Sequence, residues 1–185
     1  MPRASKRDFP VTEVRRYLEP GPIVLITSAW QQQRNVMTLG WHTVLEFTPS
    51  LVATMISPGN HSFELVRRRR QCVINLPTVD QLDAVVRIGN CSGADTDKFD
   101  AFGLETTAAT DVDAPLLTAC HASFECRLHD ARQIRPYGLF IWEVVRAHVA
   151  PVPKRPRTVH YQGDGQFMCA GPTLSRRRLF KPEML

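Results

Sequence analysis

Residues 34–43 read RNVMTLGWHT, and how this stretch is taken decides the fold. It follows the apolar run PIVLITSAW (residues 22–30) and the polar turn QQQR, where the second strand of a β-hairpin belongs. A strand buried on both faces carries a near-continuous run of branched apolar residues. This one interleaves Asn35, Thr38, Gly40 and His42 with Val36, Met37, Leu39 and Trp41. Small side chains in a strand let something flat approach the backbone edge, and the Asn35 amide adds a donor and an acceptor. Trp41 either walls such a ring or fills core. His42 reads as a structural histidine, because no Ser/Asp or Cys/Asp spacing in the chain resembles a catalytic triad.

Working outward, the strand is expected to run on to Phe47 and stop at Pro49, with SLVATMI as a third strand. SPGNH is a turn from which Asn60 or Ser62 can cap a helix over FELVRRRR. After the short strand CVINL, Pro77-Thr78 opens a second helix. Thr78 and Gln81 have capping-box spacing, and Leu82, Val85 and Val86 share a face. A helical turn from Asp97 to Phe102 stops at Gly103, and TAATDVDAPLL reads as loop. HASFECRLHDARQI and YGLFIWEVVRAHVAPV are two long strands. TVHYQ and QFMCA, joined by Gly163-Asp164-Gly165, form a last strand pair. Strands and helices do not alternate regularly, so the expected class is mainly β with α, a barrel-like antiparallel domain with peripheral helices. The expected organisation is an arm over residues 1–19 with a short helix near 11–18, one domain over 20–171, and a basic tail over 172–185.

A chain of 185 residues suits one domain around one core, and 43% hydrophobic with 22% charged residues is ordinary for a soluble protein. Much of the net charge of +5 sits in Arg67-Arg68-Arg69-Arg70 and Arg176-Arg177-Arg178. No zinc-finger spacing, recognition-helix pattern or aromatic-interleaved basic strand accompanies these runs. Nucleic acid is therefore not an expected partner, and the first run reads as a solvated helix face. Five scattered cysteines without C-x-x-C point to a reducing compartment and away from a metal site. No apolar stretch follows the charged N-terminus, and no run reaches the ~18 apolar residues of a membrane span. The expected location is cytoplasmic. Neither G-x-G-x-x-G nor a Walker A motif is present, so a nicotinamide cofactor would not be held by a Rossmann fingerprint.

Two loops are candidate anion sites. In NCSGADTDKF, Ser92-Gly93 can turn its backbone N–H groups together, and Lys98 stands at the start of a helical turn. In SPGNHS, Gly59 permits a left-handed backbone, and His61 and Ser62 lie near a helix N-terminus; plain capping explains the same residues. Cys120 beside His121 reads as a buried inert thiol.

Together, NVMTLGWHT, SPGNHSFELV, CVINLP, GNCSGADTDKF and APLL…CHASFECRL…YGLFIWEVVRAHV resemble the flavin reductase-like, FMN-binding split-barrel family. Flavoredoxins and ferric-reductase-type members are the nearest in look, over roughly residues 20–171. The resemblance implies a split β-barrel that forms a homodimer and binds one FMN per subunit near the interface. It implies that Asn35, Val36, Met37 and Thr38 edge the isoalloxazine ring and ribityl chain, with Trp41 close by. Ser57, Pro58, Gly59, His61 and Ser62 would stand by the ribityl and phosphate groups, and Ser92, Gly93 and Lys98 would complete the phosphate site. NAD(P)H is the implied hydride donor; the acceptor is free flavin, a ferric chelate, a partner oxygenase or another protein. A non-enzymatic FMN electron carrier, or an FMN-binding sensor or storage module, fits the same fold. Hydride transfer to a flavin needs no acid–base side chain, so no catalytic residue is assigned.

Overall fold

The computed structural model describes residues 6–14 and 21–184. Its main sheet is built from β1 (Arg7–Phe9), β2 (Val24–Trp30), β3 (Gln33–Leu39), β4 (His42–Glu46), β5 (Leu51–Met55), β6 (Gln71–Leu76), β9 (Ala122–Asp130) and β10 (Leu139–Val149). The strand order is β3-β2-β6-β9-β10-β5-β4, with β1 paired to the far end of β10. Each of these pairings is antiparallel. The two outermost strands in that order, β3 and β4, are consecutive in the chain and separated only by Gly40 and Trp41. A link that short spans about 10 Å. The sheet therefore cannot lie flat; it curls until its first and last strands meet. They meet without pairing, since β3 bonds to β2 and β4 bonds to β5. The result is a split barrel, mostly β with a few helices.

The expectation of one unbroken strand from residue 34 to Phe47 is thus corrected: the chain leaves one edge of the sheet at Leu39 and enters the other at His42. Gly40 suits the crossing, because a Cβ there would lie 3.1 Å from Ile23 Cδ1. His42 Nε2 meets the Pro22 carbonyl at 2.7 Å, and Met55 N donates to the Trp41 carbonyl at 2.9 Å. Burial lowers the His42 pKa, so the ring is neutral near pH 7 and Nε2–H donates to that carbonyl. The structural role read for His42 is the one it plays: it tacks the seam shut.

Strand alternation explains the two-sided burial of β2 and β3. Val24, Ile26, Met37 and Leu39 enter the barrel interior with Ile74, Leu76, Phe124 and Trp142. Ile23, Leu25 and Val36 face the other way, against Val85, Ile88 and Phe99. Helix α1 (His61–Arg69) adds Phe63 and Val66 to the interior. Its arginines are held by ion pairs: Arg67 and Arg68 on Glu64, and Arg69 on Asp113, while Arg68 also lies over the Trp30 ring.

Helix α2 (Leu82–Gly89) follows a 3-10 turn, Val79–Gln81, and carries the expected capping box, with Thr78 N donating to Gln81 Oε1 at 2.7 Å. Asp97 caps the one-turn helix α3 (Lys98–Ala101), accepting from Phe99 N at 2.9 Å, and Gly103 takes the left-handed φ of +59° that ends it.

Other expectations change. The loop over 106–117 contains a short pair, β7 (Thr106–Thr107) and β8 (Leu116–Leu117). A helical turn, α4 (Ile134–Tyr137), separates the two long strands. The N-terminal arm contributes β1 to the sheet and a 3-10 turn over Val11–Glu13. The rest of the helix expected near 11–18 lies largely outside the described residues. β11 (Val159–Gly163) and β12 (Gln166–Cys169) form the expected hairpin, apart from the main sheet. No helix among the described residues is long and apolar enough to cross a membrane.

Candidate functional site

Because β3 ends the sheet, its outer row of N–H and C=O groups has no strand partner. A cleft of about 770 Å³ opens along that edge. Its wall on the strand side is Met37, Thr38, Leu39, Gly40 and Trp41; α2 supplies Val85, Val86 and Gly89, with Asn90 beyond. Met55, Ser57 and Asn60 also line it, as do Tyr161, Gly165 and Phe167 of the hairpin with Gly21 and Ile23. Among the described residues, none of the lining side chains is an Asp, Glu, Lys, Arg or His.

Trp41 is 70% exposed and lines this cleft, so of its two readings the core is excluded. Thr38 Oγ1 donates to the Val85 carbonyl at 2.7 Å, tying the strand to α2, and a Cβ on Gly89 would touch Thr38 at 3.5 Å. Strand and helix are thereby held at close quarters beside the cleft.

The expected site residues divide into three groups. Met37, Thr38, Trp41 and Ser57 line the cleft. Pro58, Gly59 and Ser92 are exposed on the neighbouring turns, with His61 and Gly93 half-buried. Asn35, Val36, Ser62 and Lys98 are buried. Val36 packs in the cluster beside α2. Asn35 Nδ2 donates to Ser62 Oγ at 2.9 Å, and a Cβ on Gly93 would fall 2.1 Å from Asn35 Oδ1. One buried amide therefore joins β3 to both loops read as anion sites. Neither Asn60 nor Ser62 caps α1: Asn60 occupies the N-cap without a side-chain bond, and the Ser62 hydroxyl receives Asn35.

Three local expectations change. Gly59 does not take a left-handed φ; Gly21, Gly103, Gly138, Gly163 and Gly165 do. The Ser92 hydroxyl accepts from Ala94 N at 3.1 Å, and its carbonyl accepts from Thr96 N at 3.1 Å, so the turn first satisfies itself. Lys98 points inward, and its Nζ donates to the Ile88 carbonyl at 2.8 Å. There it complements the negative end of the α2 dipole. Burial lowers its pKa, partly offset by Cys91. Cys120 is buried and its thiol is pushed up to about 12 by that burial, which fits the inert reading.

Asn60, Gly89, Asn90, Tyr161 and Phe167 were missed by sequence reasoning. The Val85/Val86/Gly89 stripe on α2 was the available signal, since its spacing puts a small residue on an apolar helix face. Nothing local placed the hairpin here.

The arrangement can hold a flat, largely uncharged ring system: a backbone polar row for its heteroatoms, an indole at one wall, and no fixed charge against its face. An isoalloxazine ring fits that donor set. Residues 15–167 match the model of the flavin reductase like domain. The uncharacterized protein YddH of Escherichia coli (strain K12) is 32% identical over 170 residues, covering 84% of this chain and 90% of that protein. The crystal structure of an FMN-binding domain of a flavin reductases-like enzyme from Shewanella baltica superposes with a TM-score of 0.88 at 27% identity, covering 95% of this chain and 99% of the other. Flavoredoxin of Desulfovibrio vulgaris (Miyazaki F) shares the fold, with a TM-score of 0.76 at 20% identity over 85% of this chain and 90% of its own. The edge-strand cleft of a split barrel and the match across most of the chain agree: this protein belongs to the flavin reductase-like domain family.

Proposed function

We propose that the protein binds FMN in this cleft and acts as an NAD(P)H-dependent flavin oxidoreductase. The observation that carries the reading is the unpaired outer edge of β3 facing a cleft without charged side chains. Backbone donors along Met37 to Gly40 would meet the ring's oxygens and nitrogens, and Trp41 would cover it. The phosphate would lie toward the two loops that Asn35 ties together, by Ser57, His61, Ser92 and Gly93. Lys98 acts there from beneath: its charge offsets the carbonyl end of α2, which would otherwise repel an anion. When bound, FMN supplies the two-electron chemistry. This chain's residues bind it, orient it and keep water from one face.

Trp41, Leu45, Phe47 and Met55 are 70%, 47%, 51% and 38% exposed along β4 and the adjoining end of β5. Four exposed apolar side chains along one sheet edge support a homodimer that covers them. Light scattering on wild type and Phe47→Arg tests this: a dimer that the arginine weakens is expected, and a monomeric wild type overturns it.

Absorbance of the purified protein titrated with FMN is the first test of the function. Saturable uptake with the bands of bound oxidised flavin is expected; no uptake overturns the reading. Bleaching by NADH or NADPH alone marks a reductase. Uptake without bleaching marks an electron carrier of the flavoredoxin kind. Lys98→Ala is expected to weaken FMN binding about tenfold, as loss of a charge near a phosphate does.

A further inference from the structure

The cleft is more than twice the ~300 Å³ of a small ligand site, which leaves room beside a single ring system. The hairpin contributes Tyr161, Gly165 and Phe167 to the lining of this cleft. There Tyr161, 54% exposed, pairs with Phe167 at 5.0 Å between ring centres, and Gly165 N meets the tyrosine hydroxyl at 3.4 Å. The hairpin base is firmly held: Ile23 N donates to the Val159 carbonyl at 2.8 Å, and Ala170 N to the Thr158 carbonyl at 2.8 Å. Val159 is fully buried in the α2 cluster. An aromatic pair on an anchored base, in a cleft that the exposed Trp41 also lines, offers π faces to whatever enters.

Charge narrows the choice. A ferric chelate of citrate type is an anion and is recognised by cations. Among the described residues the cleft offers none. Lys98, at the end of α2, is buried and bonded to the Ile88 carbonyl.

We propose that the hairpin end of the cleft binds an uncharged, planar ring compound of the quinone class as electron acceptor, with Tyr161 as the residue that selects it. The inference rests on the flavin reading above and names its acceptor. The reaction balances as NAD(P)H + H⁺ + quinone → NAD(P)⁺ + hydroquinone. The nicotinamide loses a hydride, the quinone gains two electrons and two protons, and the second proton comes from water.

Calorimetry with menadione as the uncharged probe and ferric citrate as the anionic one tests the site on protein with and without FMN. Menadione is expected to bind, with ferric citrate failing to displace it. Tyr161→Ala should raise the menadione Kd at least tenfold, and Tyr161→Phe should restore most of it, since the ring face carries the contact. An unchanged Kd in Tyr161→Ala, or equal competition by ferric citrate, overturns the inference. An FMN affinity that falls in Tyr161→Ala as much as menadione affinity does also overturns it, because Tyr161 would then belong to the flavin site. FMN uptake by wild type is measured separately, so failure of the flavin reading is seen on its own. In steady state with NADH, Tyr161→Ala should raise KM for menadione with little change in kcat.

Discussion

Helix α2 separates two hollows of opposite character. On one side Val85, Val86 and Gly89 face the uncharged cleft beside β3. On the other, Asp80, Asp83 and Arg87, with Glu105, rim a smaller cleft of about 350 Å³ over a floor of Leu25, Phe102, Leu104 and Leu117. Asp83 and Arg87 lie on the opposite face of this one short helix from Val85, Val86 and Gly89, as a period near 3.6 sets them. A hollow with an apolar floor and a charged rim is what solvent-facing packing commonly produces. A larger hollow without a charged group in its lining is not, because water alone gives no reason to keep charge out of it. The difference teaches where to look: the surface that lacks charge is the one to which the proposed function assigns the ligand.

The largest effect should come at the loop that packs on Asn35, beside the uncharged cleft. Gly93→Val puts a side chain where Asn35 already sits, and Asn35 is fixed by Ser62. Overpacking of this kind costs about 1–3 kcal/mol. For a chain of this size that is a melting temperature lower by roughly 5 °C. Thermal melts with FMN titration would read both the stability and the binding loss. A variant that melts with wild type would show that Asn35 does not lock the two loops.

Val86→Asp breaks the comparison directly by giving the uncharged cleft a carboxylate. Val86 is 38% exposed, so the fold should survive the change. FMN affinity is expected to fall about tenfold, roughly 1.4 kcal/mol. Affinity equal to wild type would mean that the lack of charge carries no function.

The charged side has a pH signature. His121 follows Cys120, which lines the smaller cleft. Burial first, then the Lys6 ammonium, hold its imidazole down to about 4, against an ordinary 6.5. The unfolded chain takes up a proton below pH 6.5, and the folded chain only near pH 4. This contribution to stability is therefore lost as pH falls from 6.5 toward 4. Melting temperatures across that window should drop, and drop less steeply in His121→Asn; parallel curves would remove His121 as a cause.

The smallest effect sharpens the contrast. Asp83→Asn, on the rim of the charged cleft, should leave FMN affinity within twofold of wild type. A large loss there would place the ligand on the wrong side of α2.

Much of the fold was legible because its signals are local. The apolar, β-rich run over residues 22–30, the Thr78/Gln81 capping box, and Asp97 with Gly103 around α3 each depend on a few neighbours, and each forms as read. The site was legible in its parts but not in its geometry. Asn35 and Lys98 were marked for their polarity, and both are turned inward, one to Ser62 and one to Ile88. A polar residue type announces a partner without saying whether that partner is a ligand or the protein itself. Glu125 was not marked at all. It is fully buried on β9, accepts from Thr110 N and Val112 N at 3.0 and 3.1 Å, and meets His148 Nε2 at 2.7 Å. Its partners are 13 to 23 residues away, beyond any pattern a strand displays.

The sequence by itself determined most of the strands, the Thr78/Gln81 and Asp97 caps, the last hairpin and the family, since these rest on short-range propensity and on residue order. It also marked residues 34–43 as a strand too small and polar for a core. Only the tertiary structure decided what that stretch does. Gly40 and Trp41 carry the chain from one edge of the sheet to the other, the sheet curls to meet itself, and β3 is left with an unpaired side. Closure depends on strand order, and strand order is set by contacts far apart in sequence. For the same reason the hairpin carrying Tyr161 could be read as a hairpin, but not as the wall of a cleft that begins more than a hundred residues earlier.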